Sequence, residues 1–335
     1  MKTVRIILSA IIIIGLYACS SKRIYPGEVW HDTNQTHINA HGGGVLFHNG
    51  TYYWYGEYKG DSTYRAPGVG WDCYRTEAGG VACYSSKNLH TWKFEGVVLK
   101  PNLTDSTSDI HPSMVIERPK VVYNEKTKKF VMWMHIDNYN YSMAATGVAV
   151  SDSPTGDFKY LHSLRPYGEE SRDMTLYKDD DGKAYHIYSS RGNSTLFIHL
   201  LSDDYLKHTD TYAIAFPGKS REAPAIFKRQ NKYYMITSGC SGWDPNEAEY
   251  AIADSMLGEW KAMGNPCIGE NGDKTFGGQS TFVLPVNPEK DRYIAMFDKW
   301  NKLDLIDSRY IWLPIKFQGD SISIEWHDEW SPKDF

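Results

Sequence analysis

The sequence predicts an all-β protein, a five-bladed β-propeller, on three observations. One outline recurs five times: an apolar stretch, a polar turn, then a second stretch of aromatic and apolar residues. Outside the N-terminal segment, no long stretch carries the 3.6-residue apolar period of a helix. Aromatic content is 14%, with 24 Tyr and 11 Trp, residue types that pleated sheets favour. Self-similarity at a fixed period marks repeat folds. A β-sandwich with long loops is the rival architecture.

The chain opens with Lys2 and Arg5 before an apolar run, IILSAIIIIGLYA, which is too short and too N-terminal for a membrane span. Residues 1–18 are expected to be a signal peptide. Leu16-Tyr17-Ala18-Cys19 resembles a bacterial lipobox, so Cys19 is the expected lipidation site, with ordinary cleavage as the alternative. Either way the chain is expected to be exported, touching membrane only through that anchor.

The propeller is expected over residues 24–335. Its first unit opens with HGGGVLFHNGTYYWYGE (41–57) and its second with ERPKVVYNEKTKKFVMWMH (117–135). The third opens with RDMTLYKDDDGKAYHIYSS (172–190) and the fourth with REAPAIFKRQNKYYMITSG (221–239). The fifth opens with GGQSTFVLPVNPEKDRYIAMFDKW (277–300). Each reads as a hairpin. A second element follows in ACYSSKNLHTWKF, AVSDSPTGDFKY and AIADSMLGEWKA, and more weakly in LSDDYLKHTDTY. Each unit thus supplies roughly four strands over about 50 residues, the size of one blade.

Four cysteines remain after Cys19. Cys73 and Cys83 form the expected local disulfide pair, permitted by export, while Cys240 and Cys267 are expected as buried free thiols. No C-x-x-C spacing suggests zinc. Net charge is −5 and no basic stripe is present, which excludes nucleic acid as the main partner. DDDG (179–182) lacks the spacing of an EF-hand loop and reads as a hairpin turn. His-Gly-Gly-Gly at 41–44 is like an esterase oxyanion loop, but no G-x-S-x-G elbow accompanies it, so the glycines are expected to let backbones approach.

In a propeller the first strand of every blade lines the central channel, so residues at equivalent strand starts converge. Those positions are Glu117, Asp173, Glu222 and Gln279. Singly, each could be a strand-end cap. Four in register point to a site. An acid and a second activating group across an acetal bond are the minimum for glycoside hydrolysis. A neighbouring negative charge raises the acid's pKa enough to keep it protonated.

At this point the chain resembles glycoside hydrolase family 43, five-bladed propellers that invert anomeric configuration. SRDMTLYKDDDGKAYHIY resembles the segment holding the aspartate that tunes the acid, which implies Asp173. REAPAIFKRQNKYYMITSG resembles the segment of the general acid, which implies Glu222. The aspartate that most members use as base is missing from blade one, where glycines stand, and Asp32 lies too far upstream to replace it. AHGGG, YYWYGE, ERPKV, SRDMTL and SGWDPN are similar to the family's exo-β-1,3-galactanase group. There a glutamine acts as base through its imidic-acid tautomer beside a glutamate, implying Gln279 and Glu117, with Glu57 near the axial hydroxyl of galactose. Inversion needs acid and base roughly 6.5–9.5 Å apart, and Glu222 and Gln279 are expected at that separation or slightly less.

Tyr141, Asn193 and Ser241 sit in loops expected at the pocket mouth, with turn roles as the alternative. Trp243 and Trp71 are candidates to stack on sugar, while Trp54 and Trp133 read as core. The expected partner is a polysaccharide or oligosaccharide, bound by a monomer. No cofactor is required, although relatives implied by the resemblance sometimes hold calcium in the channel. The expected function is exo-release of galactose from β-1,3-galactan. The alternatives are another family 43 exo-activity (β-galactosidase or α-L-arabinofuranosidase) and a non-catalytic glycan-binding propeller.

Overall fold

The computed structural model describes residues 23–332. The expected signal peptide and Cys19 lie outside the described residues. Blade one contains β1 (His41–His48), β2 (Thr51–Arg65), β3 (Tyr74–Ser86) and β4 (Lys93–Leu99). Blade two contains β5 (Val115–Asn124), β6 (Lys129–Asp137), β7 (Ala145–Ser151) and β8 (Lys159–Leu164). Blade three contains β9 (Met174–Lys178), β10 (Ala184–Ser190), β11 (Thr195–Leu201) and β12 (His208–Ala215). Blade four contains β13 (Arg221–Arg229), β14 (Lys232–Gly239), β15 (Glu249–Ala253) and β16 (Lys261–Gly264). Blade five contains β17 (Cys267–Ile268), β18 (Gln279–Asn287), β19 (Arg292–Lys299), β20 (Arg309–Gln318) and β21 (Ser321–Glu325).

Each sheet is an antiparallel meander whose first full strand is innermost, and β1, β5, β9, β13 and β18 touch one another around the axis. The fifth sheet departs from four strands. Two-residue β17 adds in parallel to the outer edge of β21. The ring is tied where the N-terminal segment meets the C-terminal one, through paired backbone hydrogen bonds between Ile24 and Trp330.

The strands read as nearly continuous apolar runs because every sheet is buried on both faces. In β10, Ile187 faces blade four and Tyr188 faces blade two, so both parities are apolar. Five apolar clusters fill the five seams between blades. Trp92 packs edge-on against Trp54 and Trp312, which are tilted to each other, between blades one and five. A buried Val, Leu, Ile, Phe or Met in these seams contributes about 1.5–3 kcal/mol. Trp54 and Trp133 are core, as expected.

The Cys73–Cys83 pairing is not present, and all four of these cysteines are free thiols. Cys73 precedes β3 while Cys83 lies nine positions beyond its first residue, Tyr74, about 30 Å along an extended strand. Cys267 is buried, but Cys240 is exposed, against expectation, because β14 ends before it and leaves it on the rim of the axial cavity.

Blade three encloses three histidines. His186 Nδ1 lies 2.9 Å from His208 Nε2, and Tyr188 bonds His199 Nδ1 at 3.1 Å. Burial holds all three below the ordinary value of 6.5, His199 at about 4 and His208 at about 3, with neighbouring histidines adding to the effect on His186 and His208. The unfolded chain binds these protons and the folded chain refuses them. The stability this confers is complete above pH 6.5 and is lost as pH falls toward 4. The Tm difference between His208→Gln and wild type, followed from pH 8 to 4.5, separates this contribution from the oppositely shifted Glu222 and His135, and is expected to move in the variant's favour by at least ~3 °C below pH 6.5. A flat difference would contradict it.

Candidate active site

Near the pocket, the inner strands are not regular. The β1–β2 register shifts between His41 and Gly44, β5–β6 between Glu117 and Lys120, and β13–β14 between Glu222 and Ala225. At each shift a residue is left-handed: Gly42 (φ 59°), Arg118 (φ 54°) and Ala223 (φ 51°). Bulges beside active sites re-aim side chains, and left-handed non-glycine residues store strain there. The residues just before them, Glu117 and Glu222, are two of the four expected to converge. In blade one that position is His41, which is buried, and the carboxylate comes instead from its pairing partner on β2, Glu57.

Blade one needs its glycines for close approach. A Cβ on Gly43 would stand 2.0 Å from the Tyr55 carbonyl oxygen, and one on Gly42 would stand 2.2 Å from Glu57 Oε1.

A cavity of about 590 Å³ opens on the axis, lined by Glu57, Glu117, Asp173, Glu222 and Gln279 together with Tyr141, Asn193, Ser241 and Trp243. All nine expected site residues meet there. Arg118, His135, Trp300, Cys240 and Lys302 also line it, and none of these is among the site residues expected from the sequence.

Arg118 is the hub. Its guanidinium donates to Asp173 Oδ2 at 2.9 Å, to Gln279 Oε1 at 2.5 Å and to the Ser280 carbonyl at 3.0 Å. Its backbone N–H donates to Glu57 Oε1 at 3.0 Å. Glu57 Oε2 pairs with Lys59 at 2.5 Å, so Glu57 is a buried ion-pair partner in the pocket wall rather than a surface one.

Gln279 is fully engaged. Its Oε1 accepts from Arg118 and from Trp300 Nε1 (2.9 Å), while its Nε2 donates to Ser238 Oγ (3.1 Å) and Glu222 Oε1 (3.2 Å). Arginine and tryptophan nitrogens only donate. An oxygen that faces both suits the carbonyl oxygen of the ordinary amide in this arrangement. The expected gap of 6.5–9.5 Å between Glu222 and Gln279 is absent, because the two are directly hydrogen-bonded. Nor is Glu117 among Gln279's hydrogen-bond partners.

Glu117 instead accepts from Tyr141 OH (2.6 Å) and pairs with His135 Nδ1 (3.1 Å). Burial alone would raise its pKa. The hydrogen bond and charge of His135, with Lys59 and Tyr141, override that and hold it at about 2. Glu222 behaves in the opposite way. Burial first, then the charge of Asp173, push its carboxyl up to about 8, against the pull of Arg118. Asn193 Nδ2 donates to Glu222 Oε2 at 2.9 Å, and Cys240 lies against the same carboxyl.

The polar groups of Tyr141 and Asn193 are therefore spent on carboxylates. Ser241 is spent in its own loop, donating to the Asp244 carbonyl at 2.5 Å. Trp243 stands edge-on to Trp300 with ring centres 5.2 Å apart, and Trp71 packs against Tyr141. Lys302 bonds Asp244 at 3.0 Å and faces Asp72 at 3.8 Å, tying loops of three blades across one side of the mouth.

Glu117, His135 and Asp173 each offer a donor atom within 4.8 Å of the others. They do not fit a calcium ion, which takes 6–8 oxygen ligands. Both ring nitrogens of His135 face carboxylates, and burial's downward pull on it is overcome by Asp137 and Glu117, which hold it up at about 10. Such an imidazolium has no free lone pair. Asp173 already carries Arg118.

One carboxyl protonated at neutral pH, beside another held ionised in a concave pocket, is the machinery of acetal hydrolysis. Fold and site together define a glycoside hydrolase. The chain belongs to glycosyl hydrolases family 43, whose family model matches residues 45–295. It is similar to a β-1,3-galactosidase of that family solved with galactodeoxynojirimycin: 45% identity, TM-score 0.84, covering 92% of this chain and 100% of the other. It is also similar to the exo-β-1,3-galactanase of Phanerochaete chrysosporium solved with β-1,3-galactotriose, at 34% identity and TM-score 0.82, covering 92% and 68%. The exo-β-1,3-galactanase of Clostridium thermocellum matches at 36% identity and TM-score 0.81, covering 92% and 66%.

Proposed function

We propose that this protein is an exported exo-acting, inverting glycoside hydrolase that releases terminal galactose from β-1,3-galactan. The observation that carries the reading is the opposite displacement of two carboxyls in one pocket, Glu222 at about 8 and Glu117 at about 2. Glu222 is the general acid, and Asp173 keeps it protonated and is itself oriented by Arg118. Gln279 holds the attacking water once substrate parts its amide from Glu222. As water's oxygen bonds the anomeric carbon, the glycosidic C–O bond breaks and the leaving oxygen takes the Glu222 proton. The water's proton passes to Glu117. A carboxylate held near 2 is a weak base, but the oxygen becomes strongly acidic once bound to an oxocarbenium-like carbon. Exchange with solvent then restores both groups.

The strap of Lys302, Asp72 and Asp244 narrows one side of the mouth, which suits a pocket that takes a chain end, and Trp243 and Trp71 offer aromatic faces to sugar. The similarity to β-1,3-galactanases and a β-1,3-galactosidase supports galactose as the sugar. Lipid anchoring at Cys19 belongs to the same proposal.

Chromatography of products from β-1,3-galactan, β-1,4-galactan, xylan and arabinan tests it. Galactose alone, from the first time points and from β-1,3-galactan only, is expected. Early oligosaccharides would overturn exo-action, arabinose or xylose would move the enzyme to another family activity, and binding without release would make it a lectin.

A further inference from the structure

Behind Glu117 lies a second carboxylate that the hydrolytic scheme above does not use. Asp137, on the last residue of β6, is wholly buried, and its Oδ2 lies 2.9 Å from His135 Nε2. Its Oδ1 accepts three backbone N–H groups, from Asn138 (2.9 Å), Met143 (2.8 Å) and Ala144 (3.0 Å). Asp137 is thus fixed by the chain turn after β6. The bulge in β5 sets Glu117 opposite His135 on the neighbouring strand. The result is a continuous line of hydrogen bonds: backbone, Asp137, His135, Glu117, pocket.

We propose that His135 is a positioning residue of the hydrolytic step, an imidazolium clamped by Asp137 that holds Glu117 charged and oriented toward the anomeric carbon. This rests on the reading of Glu117 as the proton acceptor. A buried carboxylate with no cation would protonate and lose its aim. His135 supplies the cation from an almost fully buried place in the wall, and Asp137 keeps the ring protonated and its plane fixed. The imidazolium already carries both protons, so it cannot take the one released from water. Its contribution is electrostatic and geometric.

Other charges face the chain. Lys59, from β2, works with His135 to hold Glu117 down, and Tyr141 donates to it. Glu57, Asp173 and Glu222 oppose its ionisation, while Arg118, next in sequence, supports it. Cys73 and Arg75 stand behind Tyr141, and Arg75 donates to the Ser113 and Met114 carbonyls. Lys59 and Arg118 are paired with Glu57 and Asp173, which leaves His135 as the cation in direct hydrogen-bond contact with Glu117.

The test is the pH profile of kcat and kcat/KM on β-1,3-galactobiose for wild type, His135→Gln, Asp137→Asn and Glu117→Gln. It is taken at 25 °C over the range in which circular dichroism shows each variant folded. Wild type is expected to show no acid limb above pH 4.5. His135→Gln is expected to lose about 10²-fold in kcat at pH 7 with KM within ~3-fold, and to gain an acid limb between pH 5 and 7. Asp137→Asn, which keeps the ring, is expected to gain the same limb with a smaller loss. A merely structural role would lower the folded fraction without creating that limb. Should His135→Gln fail to fold, Asp137→Asn decides by the same criterion. An inactive Glu117→Gln beside a folded variant with the wild-type profile overturns the clamp. An active Glu117→Gln would instead overturn the assignment of Glu117 itself.

Discussion

Replacing Glu222 by Gln is expected to lower galactose release from β-1,3-galactan by about 10²–10⁴-fold, the range that general acid catalysis supplies. The substitution is close to isosteric and keeps an oxygen for Asn193, so the fold should survive. What it removes is the proton. An aryl galactoside with a good leaving group needs little protonation, so its hydrolysis should fall far less. The wild-type profile should lose activity as pH rises through about 8, where Glu222 gives up its proton. That alkaline limb should be absent in the variant. The sign can be checked from both sides. Asp173 raises the Glu222 pKa and Arg118 lowers it, so Asp173→Asn should move the limb to lower pH, whereas loss of Arg118 should move it higher. An equal loss on both substrates would mean that Glu222 does something other than protonate the leaving oxygen.

Arg118→Met is expected to be the most damaging single change in the pocket. Three groups lose their donor at once: the Asp173 carboxylate, the Gln279 amide oxygen and the Ser280 carbonyl. Removing one partner of a buried pair costs about 3–5 kcal/mol because the other charge is left uncompensated. Arg118→Lys should restore part of that stability, but an ammonium cannot meet three acceptors in the planar geometry of a guanidinium. Its kcat should therefore stay at least ~10²-fold below wild type even where its Tm recovers, the cost of a misplaced oriented group. A Lys variant with near-wild-type kcat would show that the Gln279 amide needs charge nearby and not a fixed donor.

The propeller and four of its pocket residues were legible in the sequence because a repeat places equivalent positions on equivalent strands. Glu117, Asp173, Glu222 and Gln279 could be aligned by eye, and they do converge. Arg118 could not be found that way. In a regular strand it would point away from its neighbour Glu117, and only the left-handed bulge turns it inward. His135 was hidden by the same bulge. Pairing outward from Asn124–Lys129 puts Trp133 opposite Lys120, and continuing in register would set His135 against Arg118. The one-residue shift moves it opposite Glu117 instead. Trp300 lies just past β19, where a tryptophan carries no signal that its indole N–H reaches Gln279. The donors that face the Gln279 oxygen, Arg118 and Trp300, could not be named from the sequence.

The anomer of the first product tests the central claim most directly. Proton NMR following β-1,3-galactobiose hydrolysis at early times should show α-galactose accumulating before mutarotation, because water enters opposite the leaving group while Glu222 protonates it. β-Galactose as the first product would mean retention through a covalent intermediate, and would contradict the roles given to Glu222, Gln279 and Glu117 together.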